Sequence, residues 1–209
     1  MDELLLQKQT TLYGAPLKKI KRAILTPVNA IYAAFPPLEN ETRGWYRTGY
    51  ITNDIVIVKC NIGTSAGDAA YYLPDDLERL ILVGWCGGYG KDLKPGDYLS
   101  ALAGFRRGHD PIYATHVPNI GYSGNIYQVE SLAEEDGLIE GIRPEINIAA
   151  IDMETHSVLA WAVQKSRQAG AIYLVTDHLF NYPFYLPGSF DHAGATKQLV
   201  RYAMEEILR

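Results

Sequence analysis

The side chains best able to do chemistry stand at three places where an apolar run gives way to polar or small residues. Asp152-Met153-Glu154 follows the apolar run 148–151 and precedes a helical pattern. Asp177-His178 follows the run 171–176, and Gly84-Trp85-Cys86-Gly87-Gly88 follows 80–83. In open α/β sheets, ligands bind outside the carboxyl ends of the strands, so three such ends can face one cleft. Glu154 and Asp177 are 23 residues apart. Carboxyl groups that share a cleft can have their pKa values driven apart, which is what a proton donor working beside an ionised partner requires. The glycines would let backbone approach a ligand closely. Each feature also has a purely structural reading. Carboxylates at a helix start are favoured by the macrodipole, an aspartate at a strand end can cap a turn, and paired glycines can make a tight turn.

Other reactive residue types are less organised. His109, His116, His156, His178 and His192 show no metal-ligand spacing, and no metal is expected. His156 lies two residues beyond Glu154, faces away from it on a helix, and reads as structural. Cys60 and Cys86 are 26 apart, without a CxxC pattern. Cys86 reads as a small packed residue rather than a nucleophile. Gly63-Thr64-Ser65-Ala66-Gly67 has the G-x-S-x-G form but follows a strand only loosely, and it sets up no Ser-His-Asp order.

The elements that must hold these residues belong to one domain. At 209 residues the chain is long enough to bury a full core without staples. A composition 47% hydrophobic and 21% charged, with its 30 Gly and Pro residues dispersed, excludes a disordered tail, a collagen-like fibre and a coiled coil. Nineteen basic against 24 acidic residues leave a net charge of −5, which argues against nucleic acid and anionic membrane as partners. Two cysteines fit a reducing compartment, and neither a signal peptide nor an 18-residue apolar run is evident. The expectation is a soluble cytoplasmic protein.

Strands are expected over 20–26, 46–51, 55–60, 80–84, 97–103, 111–115, 148–151 and 171–176, with Thr52-Asn53-Asp54 as a hairpin turn. A short helix is expected around Ala66–Leu73 and a further helical turn from Pro74. A longer helix is expected over 153–168, closed by Gly170 as its C-terminal cap. Leu199, Val200, Ala203, Met204, Ile207 and Leu208 form one stripe of a C-terminal amphipathic helix. The unit 148–176 reads as strand–helix–strand with a parallel crossover, placing the fold in the α/β class. Residues 1–19 precede the first core strand as an arm, either exchanged with a neighbouring subunit or loose, and residues 20–209 form the domain.

Taken in order, these segments resemble the nucleoside phosphorylase superfamily, particularly hexameric-type purine nucleoside phosphorylases and the methylthioadenosine/adenosylhomocysteine nucleosidases. The glycine-rich strand end with Leu93-Lys94-Pro95-Gly96-Asp97, the segment Gly124-Asn125-Ile126-Tyr127 running to Asp136-Gly137, Asp152-Met153-Glu154, and Val175-Thr176-Asp177-His178 carry the resemblance over about residues 20–205. It implies a single three-layer α/β domain, a mixed twisted sheet with a partly closed barrel flanked by helices. It also implies roles. Glu154 would bind the ribose hydroxyls with Met153 against the sugar. Tyr127 would stack on the base, with Cys86 and Gly87 beside it. Asp177 would protonate the purine N7 as the glycosidic bond breaks. Such a reaction needs no cofactor, with phosphate as a possible co-substrate. Sites completed by neighbouring subunits would imply a homo-oligomer, a dimer or a trimer of dimers.

The departures lie on the nucleophile side. The family's arginine two residues before the strand-end glycine is Leu82 here, and the serine or threonine after that glycine is Trp85. The segment 26–32 has no basic residue, and Ile31 sits near the place of the nucleosidases' water-activating glutamate. No arginine lies between Asp177 and Arg201. Arg43 resembles the arginine that a neighbour donates to phosphate, though it also reads as a solvated loop residue. The expectation is cleavage of a purine nucleoside's N-glycosidic bond, by phosphorolysis as the family default. Hydrolysis by water, or a non-catalytic nucleoside-binding role, are the alternatives.

Overall fold

Runs apolar on both faces build the middle of one sheet, as the two-sided burial of such strands requires. In the computed structural model, which describes residues 3–131, 133–134, 147–181 and 190–209, β1 (Arg22–Thr26) lies parallel between β4 (Ile55–Lys59) and β5 (Arg79–Gly88). Beyond β4 come β3 (Arg47–Thr52) and the edge strand β2 (Glu39–Arg43), both in antiparallel pairings. On its other edge β5 pairs in parallel with β10 (Gln168–His178). From β10 the sheet continues through β6 (Tyr98–Arg106), β8 (Tyr122–Gln128) and β9 (Ile148–Asp152), and β9 returns to β5. These five strands close a small barrel, while β1, β4, β3 and β2 form an open wing. The two-residue β7 (Ile112–Tyr113) pairs with β6.

Helices cover the sheet on both sides, giving the expected three layers. α1 (Glu3–Tyr13), α3 (Ser65–Tyr71) and α4 (Thr155–Gln164) pack against one face through Leu12, Tyr13, Ala66, Ala69, Val158 and Leu159. α2 (Asn29–Ala34) and α5 (His192–Leu208) cover the other through Ile31, Tyr32, Leu199, Ala203 and Ile207. Each fully buried Leu or Ile of the C-terminal stripe contributes about 1.5–3 kcal/mol by leaving water. Met204 is only half-buried and Leu208 is exposed at the end of that stripe. The N-terminal residues are docked on their own chain: Tyr13 is buried, and its hydroxyl donates to the Ala69 carbonyl at 2.8 Å.

Four expectations about local structure change. The helix after Glu154 ends at Gln164, because Ser166 takes a left-handed φ of +54° and β10 begins at Gln168. Gly170 is therefore inside β10 rather than a helix cap. A Cβ there would sit 2.3 Å from the His116 carbonyl oxygen. The helical turn at Pro74 is as expected, closed by Leu77 N–H on the Pro74 carbonyl. The unit 148–176 is no parallel crossover: β9 runs antiparallel to β5 whereas β10 runs parallel to it. Finally, the glycine-rich segment continues β5 as far as Gly88 instead of turning away.

That last difference creates the site. Along one edge, β5 pairs with β1 as far as Leu82 and with β9 only from Gly87. Among the described residues, positions 83–86 have no strand partner on that edge. The ends of β1 and β9 diverge there, and a cleft opens between them.

Candidate active site

The cleft holds a cavity of about 190 Å³. Its walls are Pro27 and Val28 after β1, Trp85, Cys86 and Gly87 on β5, residues 151–154 at the end of β9, and Thr176 and Asp177 on β10, with Ile62 and Val129 completing it. Glu154 and Asp177 thus line one cavity, Glu154 at the mouth of α4 and Asp177 one strand beyond Gly87.

Glu154 does not cap its own helix. Its Oε1 instead accepts the Gly63 N–H at 2.7 Å, and Gly63 adopts a φ of +85° that a side chain would resist. Glu154 is only 4% exposed. Burial, with the neighbouring Asp152 carboxylate adding to it, pushes its pKa up, and the hydrogen bond from Gly63 partly opposes this.

Asp152 performs the capping that the macrodipole reading assigned to either acid. Its Oδ2 accepts the Thr155 N–H at 2.9 Å, the Tyr173 hydroxyl at 2.8 Å and the Thr155 hydroxyl. Its Oδ1 is buried and has no protein partner. Burial raises the Asp152 pKa against the pull of these donors. The Tyr173 ring lies on Gly84, where a Cβ would come within 2.8 Å of it.

Asp177 is aimed by a β-bulge. The β10–β5 register shifts between Val175 and Asp177, skipping Thr176, the kind of irregularity that re-aims a side chain beside a site. The Thr176 hydroxyl donates to Asp177 Oδ1 at 2.8 Å. A Cβ on Gly87 would press on Asp177 Oδ2 at 3.0 Å. Burial raises the Asp177 pKa, with Thr176 and His178 opposing. A group held this way favours its protonated form more than a free aspartate does, which suits a proton donor.

Proteins of known structure share this arrangement of strands and helices. AMP nucleosidase from Bacteroides thetaiotaomicron superposes with a TM-score of 0.74 at 16% identity, covering 99% of this chain and 98% of that one. The 5′-methylthioadenosine/S-adenosyl homocysteine nucleosidase of Campylobacter jejuni gives 0.71 at 16% identity, covering 89% and 97%. The chain has the nucleoside phosphorylase fold. In sequence it is similar to a DeoD-type purine nucleoside phosphorylase of Buchnera aphidicola, 24% identical over 87% of this chain and 91% of the relative. No family model matches the chain.

Within that fold, the residues singled out from sequence divide into three groups. Met153, Cys86, Gly87 and Trp85 line the cavity with Glu154 and Asp177. Tyr127 stands behind the wall: it is buried in a cluster with Val129 and Ile151, against which Met153 packs. Arg43 is exposed on the edge strand β2, and it is not among the residues that line its own chain's cavity. Asp136-Gly137 lies outside the described residues.

The bland candidates sort themselves as well. The Cys86 thiol is pushed well up by burial and by the nearby Asp152 and Asp177 carboxylates, which disfavours a thiolate nucleophile. Cys60, also buried, is pushed up to about 12. His156 contacts the Asp110 carbonyl through Nε2, and His178 contacts the Gly90 carbonyl in the same way. Ser65 opens α3 and bonds to the Ile62 carbonyl. Among the described residues, no cluster of His, Cys, Asp or Glu is arranged to hold a metal ion.

Sequence reasoning missed Thr155, Tyr173 and Thr176, the hydroxyls that orient the acids. Tyr173 carried a faint signal, a polar-tipped side chain inside an otherwise aliphatic strand whose hydroxyl had to find a partner. Thr176 looked like an ordinary strand residue, and its role depends on a bulge with no sequence signature.

Proposed function

We propose that this chain is an enzyme that cleaves the N-glycosidic bond of a purine nucleoside, with water as the acceptor. The observation that carries this reading is the cavity wall. Three acidic residues, Asp152, Glu154 and Asp177, are among its lining residues, and among those described there is no Lys, Arg or His. A phosphate anion held there would lack the charge-assisted donors that usually bind it, and would face the carboxylates instead. Leu82, at one family phosphate position, is fully buried in the core. Trp85 fills the other.

The reaction follows from the charge changes it must support. The breaking bond leaves a cationic, oxocarbenium-like sugar and an anionic base. Asp177, protonated, donates to the base N7 and removes its developing charge. Glu154 accepts hydrogen bonds from the ribose hydroxyls, and these strengthen as the sugar becomes cationic. Met153 packs on the sugar, and Tyr127 backs the wall on which the base rests. No cofactor enters this scheme. Two free, buried cysteines support a cytoplasmic location. Among the described residues, no helix is long and apolar enough to cross a membrane.

A second reading, phosphorolysis in a homo-oligomer, is favoured by one observation. Arg43 stands exposed beside a corner pinned to α1, where Trp45 N–H donates to the Thr11 carbonyl and Thr42 Oγ1 to the Tyr13 carbonyl. From there it could complete a neighbour's site. The two readings separate in an assay of free-base release from purine nucleosides with and without phosphate. Hydrolysis predicts equal rates and indifference to Arg43→Ala. Phosphorolysis predicts no release without phosphate and a steep loss in Arg43→Ala.

A further inference from the structure

Resting on the reading of Asp177 as the acid, we infer that His178 is a positioning residue: its ring locks the end of β10 in the shifted register that turns Asp177 into the cavity. Register decides which way Asp177 points. Val175 is opposite Cys86, so a regular strand would continue with Thr176 opposite Gly87 and Asp177 opposite Gly88. Instead Asp177 is opposite Gly87 and His178 opposite Gly88. A slip of one residue moves a side chain to the other face of a sheet. Without the shift, Asp177 would leave the face of Gly87 and Trp85 and stand on the face of Val175.

The two faces can be told apart at Gly88. Residues three apart in a regular strand point to opposite sides. Val175 and His178 nevertheless share a side, because a Cβ on Gly88 would meet Val175 Cγ1 and His178 Cδ2, each at 3.2 Å. The bulge at Thr176 brings them together and sends Asp177 the other way.

The bulge is held from both ends. Before it, the Val175 N–H donates to the Asp97 carbonyl at 2.9 Å, and the Val175 carbonyl accepts the Gly96 N–H at 2.8 Å. After it comes His178, which is 2% exposed and has both ring nitrogens engaged. The Phe180 N–H donates to Nδ1 at 3.3 Å, so Nε2 carries the ring hydrogen and donates to the Gly90 carbonyl at 3.1 Å. Gly90 is itself fixed to β9, its N–H donating to the Ala149 carbonyl at 2.8 Å. The Leu179 N–H adds a bond to the Gly88 carbonyl at 3.1 Å. In the regular register His178 would stand opposite Tyr89, on the other face of the sheet from the one it now shares with Val175. His178 is not among the described residues that line the active cavity. It moves no proton, and its effect reaches the reaction only through Asp177.

The test uses the full-length chain. His178→Phe keeps the bulk of the ring and removes both nitrogen partners, and its crystal structure should show Asp177 moved off Gly87. With a purine ribonucleoside its kcat should fall about 10²-fold, the cost of misplacing a reacting group by roughly 1 Å, while nucleoside binding stays within a few-fold. The loss should vanish in an Asp177→Asn background, where no acid is left to position, whereas a general packing role would add its loss to that of Asp177→Asn. His178→Asn, whose side-chain oxygen can take the place of Nδ1, should recover part of the rate. Asp177 still over Gly87 in His178→Phe, or losses that multiply in the double variant, would overturn the inference and leave the acid reading standing. If His178→Phe does not fold, Gly88→Ala decides, since its methyl would press on the ring at 3.2 Å. It should lower kcat in the wild-type background and not in the Asp177→Asn one, and an unchanged kcat would overturn the inference. Normal turnover by Asp177→Asn alone would instead remove the acid reading, and the role of His178 with it.

Discussion

Strand β5 is all that separates Asp152 from Asp177. Asp177 pairs with Gly87 on one edge, and Asp152 is one residue beyond the Ile151–Gly87 pair on the other. Both residues thereby line one small cavity from opposite sides, and β5 contributes Trp85, Cys86 and Gly87 to the same wall. The glycine keeps the floor low, since a side chain at Gly87 would press on Asp177.

Asp177→Asn should separate binding from turnover. The asparagine keeps the shape but cannot give up a proton to the leaving base. A lost general acid lowers kcat about 10²–10⁴-fold, while equilibrium binding of the nucleoside should change little, because the proton matters in the transition state. Steady-state kinetics beside equilibrium dialysis checks this. Equal losses in kcat and in binding would assign Asp177 to recognition instead.

Glu154→Gln should blunt discrimination between ribonucleosides and 2′-deoxyribonucleosides. Glutamine can still accept the Gly63 N–H, so the fold around it should persist. With its oxygen on Gly63, its NH2 faces the hydroxyls and cannot accept from them, so one acceptor is lost. The ratio of kcat/KM for the two sugars should fall towards one. An unchanged ratio would mean that Glu154 does not touch the 2′ hydroxyl.

The raised pKa of Asp177 makes stability depend on pH in a stated direction. The folded chain holds this proton more tightly than the unfolded chain does. Its contribution is therefore present at low pH and is lost as pH rises from the ordinary carboxylate range towards the raised folded value. Chemical denaturation across that range should show a shallower decline for Asp177→Asn than for the wild type. A steeper decline in the variant would contradict the assigned direction.

Two glycines give a stability test of the fold that positions these acids. At Gly170 a Cβ would meet the His116 carbonyl at 2.3 Å, so the backbone of β10 or of the 116 segment must move. Overpacking of this kind typically destabilises by about 1–3 kcal/mol. At Gly63 a Cβ meets nothing within 4 Å, and the strain comes from the positive φ alone, about 1–2 kcal/mol. Gly63→Ala should in addition weaken nucleoside binding, because the amide that holds Glu154 is displaced, whereas Gly170→Ala should leave binding unchanged in the folded fraction. Urea titration and binding measurements on both variants distinguish these outcomes.

The central strands could be read from sequence because their residues are apolar on both faces: β1, β4 and β10 lie within a few residues of their expected bounds. Asp152-Met153-Glu154 and Asp177 stood out because acids at the ends of such strands are unusual. What could not be read was set by pairing. The course of Trp85–Gly88 as strand rather than turn depends on β9 arriving from far along the chain to meet Gly87. The end of α4 depends on Ser166 taking a conformation usually left to glycine. The division of labour between Asp152, which caps, and Glu154, which turns to Gly63, is decided by which amide each can reach. Both acids are compatible with either role in one dimension.

The central claim is that water, not phosphate, takes the sugar. The most direct measurement is proton NMR of the sugar C1 signal while the protein turns over a purine ribonucleoside in phosphate buffer. The account predicts free purine base and free ribose, with no sugar phosphate. Accumulation of ribose 1-phosphate, or an N-glycosidic bond that stays intact, would contradict it.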